Sequence, residues 1–285
     1  MSSSTILIDG FLNYTCTEDI MKQFLIANYA VVLLLLVSSL SGCTSDDDAG
    51  GYDGPINLVV YYDSTSGLIT ENTQGGTQIS SEDYSIEFDF SNSSSDKSSI
   101  SSFFANAGDG SSDIVVDAAD SAQISITWAT HGLFNVTLGA IDENENTHSI
   151  EIKVRIEKRS WHNQTNTNNP LDYQINAAPD NDGPNPKSII IKSTVENPSR
   201  QFTPGSDVMV SWSVSDGSGE EIASGNAQIG DGQSETWEYV VIDVMPETYT
   251  LSISRDQGND NLDIQNDIHI TYDAAESPSN PFDEI

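Results

Sequence analysis

The sequence predicts an all-β protein, two tandem immunoglobulin-like β-sandwiches. Three observations carry that expectation. Apolar residues alternate with polar ones at period two in segment after segment, as in Ile86-Glu87-Phe88-Asp89-Phe90 and Val208-Met209-Val210-Ser211-Trp212. No long stretch past residue 55 shows the 3.6-residue period of an amphipathic helix. Ser, Asp, Gly and Asn clusters punctuate the alternating runs where turns are needed, as at 91–95 and 142–146. A strand with one apolar face must bury it, so two sheets have to meet.

Residues 1–20 do not suit the fold or an export signal. Asp9, Glu18 and Asp19 make them acidic, and they read as an over-extended start ahead of Met21. Residues 21–42 have the parts of a signal peptide: Lys22, then the apolar run Ala30 to Val37, then small residues. That run is well short of the roughly 20 residues a spanning helix needs. The quartet Leu40-Ser41-Gly42-Cys43 resembles the lipobox of prokaryotic lipoproteins. The resemblance implies that Cys43 carries a lipid and becomes the first residue of the mature chain. The protein would then sit on the extracytoplasmic face of a membrane, held by that lipid. Residues 43–54, with Asp46, Asp47 and Asp48, read as a flexible tether. Cys16 falls in the excluded stretch, so the mature chain has no second cysteine and no internal disulfide.

Residues 55–158 form the first predicted sandwich. Ile124, Ile126 and Trp128 make one strand, Phe134, Val136, Leu138 and Ala140 another, and Ile150, Ile152, Val154 and Ile156 a third. Residues 159–186 repeat Asn and Pro and read as a linker. Trp161 and Tyr173 are expected to pack locally there. Residues 187–273 form the second sandwich, opening on Ile189-Ile190-Ile191. Val208 to Val214, Trp237 to Val241, Tyr249 to Ile253 and Ile268 to Tyr272 supply its strands. Residues 274–285 read as a disordered tail.

Within the first sandwich, residues 84–157 resemble a degenerate PKD domain, an immunoglobulin-like module. Phe88-Asp89-Phe90-Ser91-Asn92-Ser93 stands for the family's opening Phe-Asp-x-Ser pattern. Gly108-Asp109-Gly110 matches its central turn, and His131-Gly132-Leu133-Phe134-Asn135-Val136-Thr137-Leu138 its last strand. Ala105 and Ala107 stand where the family has Trp and an aromatic, and Trp128 is the candidate to fill that space. In the second sandwich, Pro246 to Ile253 places Tyr249 after a tight turn, as in a tyrosine corner, with Asp243 upstream.

The chain has 10 Lys+Arg against 44 Asp+Glu, a formal charge of −34. Scarce bases disfavour nucleic acid, whose phosphates need clustered cations. The acid is spread evenly, about −13 over 52–158 and about −11 over 187–273. Such a surface suits a salt-screened setting and points to a salt-adapted prokaryote, an archaeon among the candidates.

No phosphate loop, nucleophile elbow or dinucleotide fingerprint is present, and His131, His148, His162 and His269 show no metal-binding spacing. His131 reads as a turn residue and His269 as facing solvent. Calcium is the one ligand question among cofactors, with Asp180, Asp182, Asp256, Asp260 and Asp263 as candidates set against a solvated acidic surface. Asn92, Asn135 and Asn163 stand in glycosylation sequons. The expectation is a non-catalytic, lipid-anchored cell-surface protein whose sandwiches act as spacer and as binding or adhesion module for an extracellular protein or glycan. The alternative is an accessory carbohydrate-binding lipoprotein, with or without calcium, using Trp161 or Trp237 as a sugar platform.

Overall fold

In the computed structural model, residues 52–199 and 205–282 are described. Period-two patterning becomes strand wherever it occurs. The strands run β1 (Ile56–Asn57), β2 (Ser66–Gln74), β3 (Thr77–Glu82), β4 (Tyr84–Asp89), β5 (Ser94–Ser95), β6 (Ile100–Asn106), β7 (Ile114–Asp117), β8 (Gln123–Trp128) and β9 (Gly132–Asp142). They continue through β10 (Thr147–Thr167), β11 (Tyr173–Asn176), β12 (Ser188–Asn197), β13 (Val208–Ser215), β14 (Glu221–Ile229), β15 (Gln233–Ile242), β16 (Thr248–Gln257) and β17 (Leu262–Thr271). No helix occurs among the described residues. The protein is all-β, as predicted, and its strands pack as sandwiches.

β10 organises the molecule. It is 21 residues long, and its two halves have different partners. Thr147 to Ile156 pair with β9, whereas Lys158 to Thr167 pair with β17 along the same edge. On the opposite edge, Arg155 to Asn163 pair in parallel with β2. One sheet therefore runs in the order β15-β12-β17-β10-β9-β6-β7, with β2 attached at β10 and β3 at β2. The β10-β9-β6-β7 end of this sheet packs against the β4-β8 pair, and the β15-β12-β17 end against β11-β16-β13-β14. The described residues from Gly54 onward cluster as one unit.

The linker expectation for 159–186 is therefore corrected. Residues 159–167 are the second half of β10, and 173–176 are β11. The alternation that marks a strand was hidden because the inward residues Ser160, His162 and Gln164 are polar, though all three are buried. The disordered-tail expectation for 274–285 is corrected as well for the residues described. Glu276 accepts a two-pronged bond from Arg155, at 2.9 and 2.8 Å. Ser277 donates its N–H to Lys153, and Asn280 exchanges two backbone bonds with Tyr62. Asn280 also donates Nδ2–H to the Val60 carbonyl.

Cations explain part of this. Lys153, Arg155, Lys158 and Arg159 put four of the chain's ten Lys and Arg on β10. Arg155 meets Glu157 and Glu276, Lys158 meets Glu71, and Arg159 meets Asp267. The central strand thus ties acidic neighbours from β2, β17 and the C-terminal segment to itself.

The first core is aromatic and continuous: Phe88, Phe90, Phe134 and Trp128 are at most 1% exposed. Trp128 donates its indole N–H to the Ala107 carbonyl, just past the end of β6, and packs on Phe134. The second core is two clusters, one around Ile189, Ile191 and Leu251, the other around Val210, Trp212 and Leu262. At its rim, Met245 donates its N–H to the Tyr249 hydroxyl at 2.9 Å, the bond of a tyrosine corner.

Candidate functional site

On one sheet face, cross-strand partners stand side by side. The outward residues of β10's second half are Arg159, Trp161 and Asn163. Trp161 lies beside Asn72 on β2 and Asp267 on β17, and Asp267 beside Lys192 on β12. Asn163 lies beside Gln74 and Gln265, and Gln265 beside Thr194. These rows enclose a hollow of about 340 Å³ lined by Trp161, Asn72, Asn163, Gln265, Lys192 and Thr194.

The geometry around Trp161 is fixed from one side. Arg159 places its guanidinium 5.2 Å from the indole centroid and binds Asp267 with two bonds, at 2.8 and 2.6 Å. Those bonds hold the Asp267 carboxyl below its ordinary range. Thr194 shares a hydroxyl bond with Thr236. Lys192 reaches Glu238 at 3.3 Å, with both side chains more than half exposed, so that pair is loosely held. The hollow thus offers an aromatic surface, three amides, a hydroxyl and an ammonium. Such a set can stack on an apolar face and hydrogen-bond to neighbouring hydroxyls.

The other named residues fall elsewhere. Cys43 and the quartet Leu40, Ser41 and Gly42 lie outside the described residues. Asn92 and Asn135 are exposed, and Asn135 points away from buried Phe134 and Val136 as expected. Asn163 lines the hollow, so a glycan there would fill it. Trp237 is half-buried, stacked between Trp212 and Tyr239 at 6.5 and 5.8 Å, and serves the core rather than a platform.

The five calcium candidates are not brought together. Asp180 and Asp182 are exposed beside the second core. Asp260 is buried and accepts from Ser206 N–H and Oγ. Asp256 accepts from Ser211 and Ser254, and Asp263 from the Asn166 N–H. Among the described residues no group of three or more His, Cys, Asp or Glu side chains is set for a metal.

Each histidine has a bonding partner. His131 is buried, joining the Tyr272 hydroxyl at 2.7 Å and the Asn176 carbonyl at 3.1 Å, so it links the end of β17 and β11 to the start of β9. Burial pushes its pKa down. His148 meets the Ile56 carbonyl at 3.1 Å. His269 faces outward and meets Glu157 at 2.9 Å. His162 bonds Thr73 at 2.6 Å and stacks on Tyr173 at 3.3 Å. Burial lowers its pKa to about 4 and raises that of Tyr173 to about 12. In the first sandwich, burial pushes the Asp142 carboxyl up, but bonds from Asn146 and Ser95 outweigh it and leave it at about 2.

No family model matches the chain, and no characterised protein sequence does either. Among solved structures it is similar to carbohydrate-binding modules from the β-sandwich superfamily, at 11% identity and TM-score 0.29, over 78% of this chain and 99% of that one. It is also similar to fibronectin(III)-like modules of Clostridium thermocellum CbhA, at 15% identity and TM-score 0.22, over 79% and 100%. A third likeness, to tripeptidyl peptidase 2, has 10% identity and TM-score 0.27 and spans 75% of this chain but 20% of that one. These likenesses assign no family, ligand or activity.

Proposed function

We propose that this is a non-catalytic, lipid-anchored surface protein, in which two sandwiches serve together as a stiff spacer and a binding module. The observation that carries the reading is β10, whose single unbroken strand belongs to both cores. A spacer built on a shared strand cannot hinge between its halves without breaking ladder bonds, so a ligand site on it is held at a fixed attitude. The bonded state of all four histidines supports a structural use of these side chains. The lipid on Cys43 rests on the lipobox resemblance. Cys43→Ser should move the protein from the membrane to the soluble fraction, and continued membrane retention would reject the anchor.

The hollow around Trp161 favours a glycan as the ligand. Sugars present flat C–H faces and vicinal hydroxyls, which fit an indole flanked by amides. A glycan array probed with the purified protein should give saturable binding. Trp161→Ala should weaken it by about tenfold or more, as expected for a central aromatic contact. Binding that survives this substitution would place the ligand elsewhere.

A further inference from the structure

The first sandwich carries a second hollow, of about 390 Å³, between β4 and the segment that follows Val60. Tyr61, Tyr84 and Phe282 give it aromatic walls, and Asp63, Glu87 and Asp89 bring three carboxylates to it. Tyr61 and Phe282 meet edge to face at 4.9 Å. Tyr84 lies flat where a Cβ at Gly67 would sit, so the glycine lets β2 approach this wall closely. Among the described ion pairs, none uses Asp63, Glu87 or Asp89. Asp89 does accept one bond, from the Ser91 N–H.

The backbone gives an independent indication of what fits. Asp89 exchanges two bonds with Tyr61, N–H to carbonyl in each direction, at 3.0 and 2.8 Å. β4 pairs with β8 along its other edge. Backbone groups of an antiparallel strand alternate between its two edges. Glu87 and Ser85 therefore present their N–H and C=O toward the same side as Asp89, into the hollow. No strand of the described residues pairs with them there. An edge of this kind is a template for one more strand.

We propose that this hollow binds an extended peptide segment bearing a lysine or arginine. Its backbone pairs with Ser85 and Glu87, extending the line begun by the Tyr61–Asp89 bridge. Its cationic head lies against the tyrosine and phenylalanine rings, among the three carboxylates. An open backbone edge selects a peptide over a free organic cation, and the carboxylates select a basic side chain over an acidic one. This site is separate from the Trp161 hollow, and either can fail without the other.

The test is an NMR titration of the ¹⁵N-labelled full chain with acetyl-Val-Lys-Val-amide, with the Gln peptide as control. The expected result is saturable shifts at the Ser85 and Glu87 amides with the Lys peptide and weaker ones with the Gln peptide. Glu87→Gln and Tyr61→Leu should each weaken the Lys peptide by about two- to fivefold, as expected for one partly exposed charge or ring contact. Glu87 is exposed, so its variant keeps the test valid even where Tyr61→Leu disturbs the fold. Unsaturable shifts, equal affinity for both peptides, or affinity unchanged by Glu87→Gln would overturn the proposal.

Discussion

Two halves of one strand face two different interiors. On β10, Ile152, Val154 and Ile156 point into the first core, and Ser160, His162 and Gln164, continuing the same face, point into the second. The first interior is one continuous apolar cluster of aliphatic side chains and aromatic rings. The second is crossed by a polar row from strand to strand, Thr73, His162, Asn266 and Ser193, which ends at Trp237. Ser193 and Asn266 are 0% and 2% exposed. The row lies between the two apolar clusters of the second sandwich, with Ile191 and Ile268 on one side and Val195 and Ile264 on the other. Burial alone therefore does not define a core here. The first sandwich is stabilised by transfer of apolar surface, while the second must also satisfy buried polar groups.

The largest effect should come from the apolar side. Phe134 is 0% exposed and packs on Trp128 at 5.9 Å. Phe134→Ala should cost about 3–5 kcal/mol, the lost transfer energy plus the cavity left in a close-packed interior. Ser193→Ala, equally buried, removes one hydroxyl that accepts from the Trp212 indole at 2.9 Å and should cost about 1–2 kcal/mol. Urea unfolding of both variants measures the difference. Equal losses would mean that the two interiors are held by the same forces.

The next effect separates the interiors by pH. His162 is 4% exposed, and burial is the main cause of its lowered pKa; Glu71 raises it and Lys158 lowers it. Its folded value of about 4 lies below the ordinary 6.5. Between those values the unfolded chain takes up a proton that the folded chain refuses, so stability falls as pH drops from about 6.5 to 4. Above 6.5 the imidazole is neutral in both states and the effect vanishes. The ceiling is about 3 kcal/mol, because each tenfold loss of proton affinity is worth roughly 1.4 kcal/mol. His162→Leu should flatten the stability profile between pH 6.5 and 4 relative to the parent chain. A profile of unchanged slope would show that His162 is not neutral in the fold.

The same contrast explains how much of the molecule the sequence reveals. β4, β8, β9 and the first half of β10 alternate apolar with polar because their inner faces meet hydrocarbon. β13, β16 and β17 are legible for the same reason, apart from the single interruption at Asn266. The second half of β10 is not, because its inner residues are polar and its outer ones mixed. β2 and β3 carry few apolar residues, and all of β3 is exposed. The C-terminal segment is ordered by Arg155, Lys153 and Tyr62, all far away in sequence. The Trp161 hollow draws on residues 72, 161, 192 and 265, which only the strand register brings together. Trp161 itself could be singled out as an aromatic among amides, but its neighbours could not. Alternation reports which face is dry and says nothing about which strands are adjacent.

The smallest effect probes whether the polar row is a stabilising feature or a cost. The Asn266 Oδ1 is buried with no hydrogen-bond partner in the protein, as is His162 Nε2 beside it in the row. A buried acceptor left unbonded costs about 1–3 kcal/mol, and an apolar group of similar volume removes that cost. Asn266→Leu joins the two apolar clusters across Ile264 and Ile268. It should therefore raise stability by about 1 kcal/mol, read as a higher urea midpoint at unchanged slope. The outcome also bears on His162. A more apolar neighbour makes protonation there harder, so the acid limb of the stability profile should begin at the same pH and fall further. A destabilised Asn266→Leu would mean instead that the row is a satisfied network, and that the second interior depends on its polar groups as the first depends on its rings.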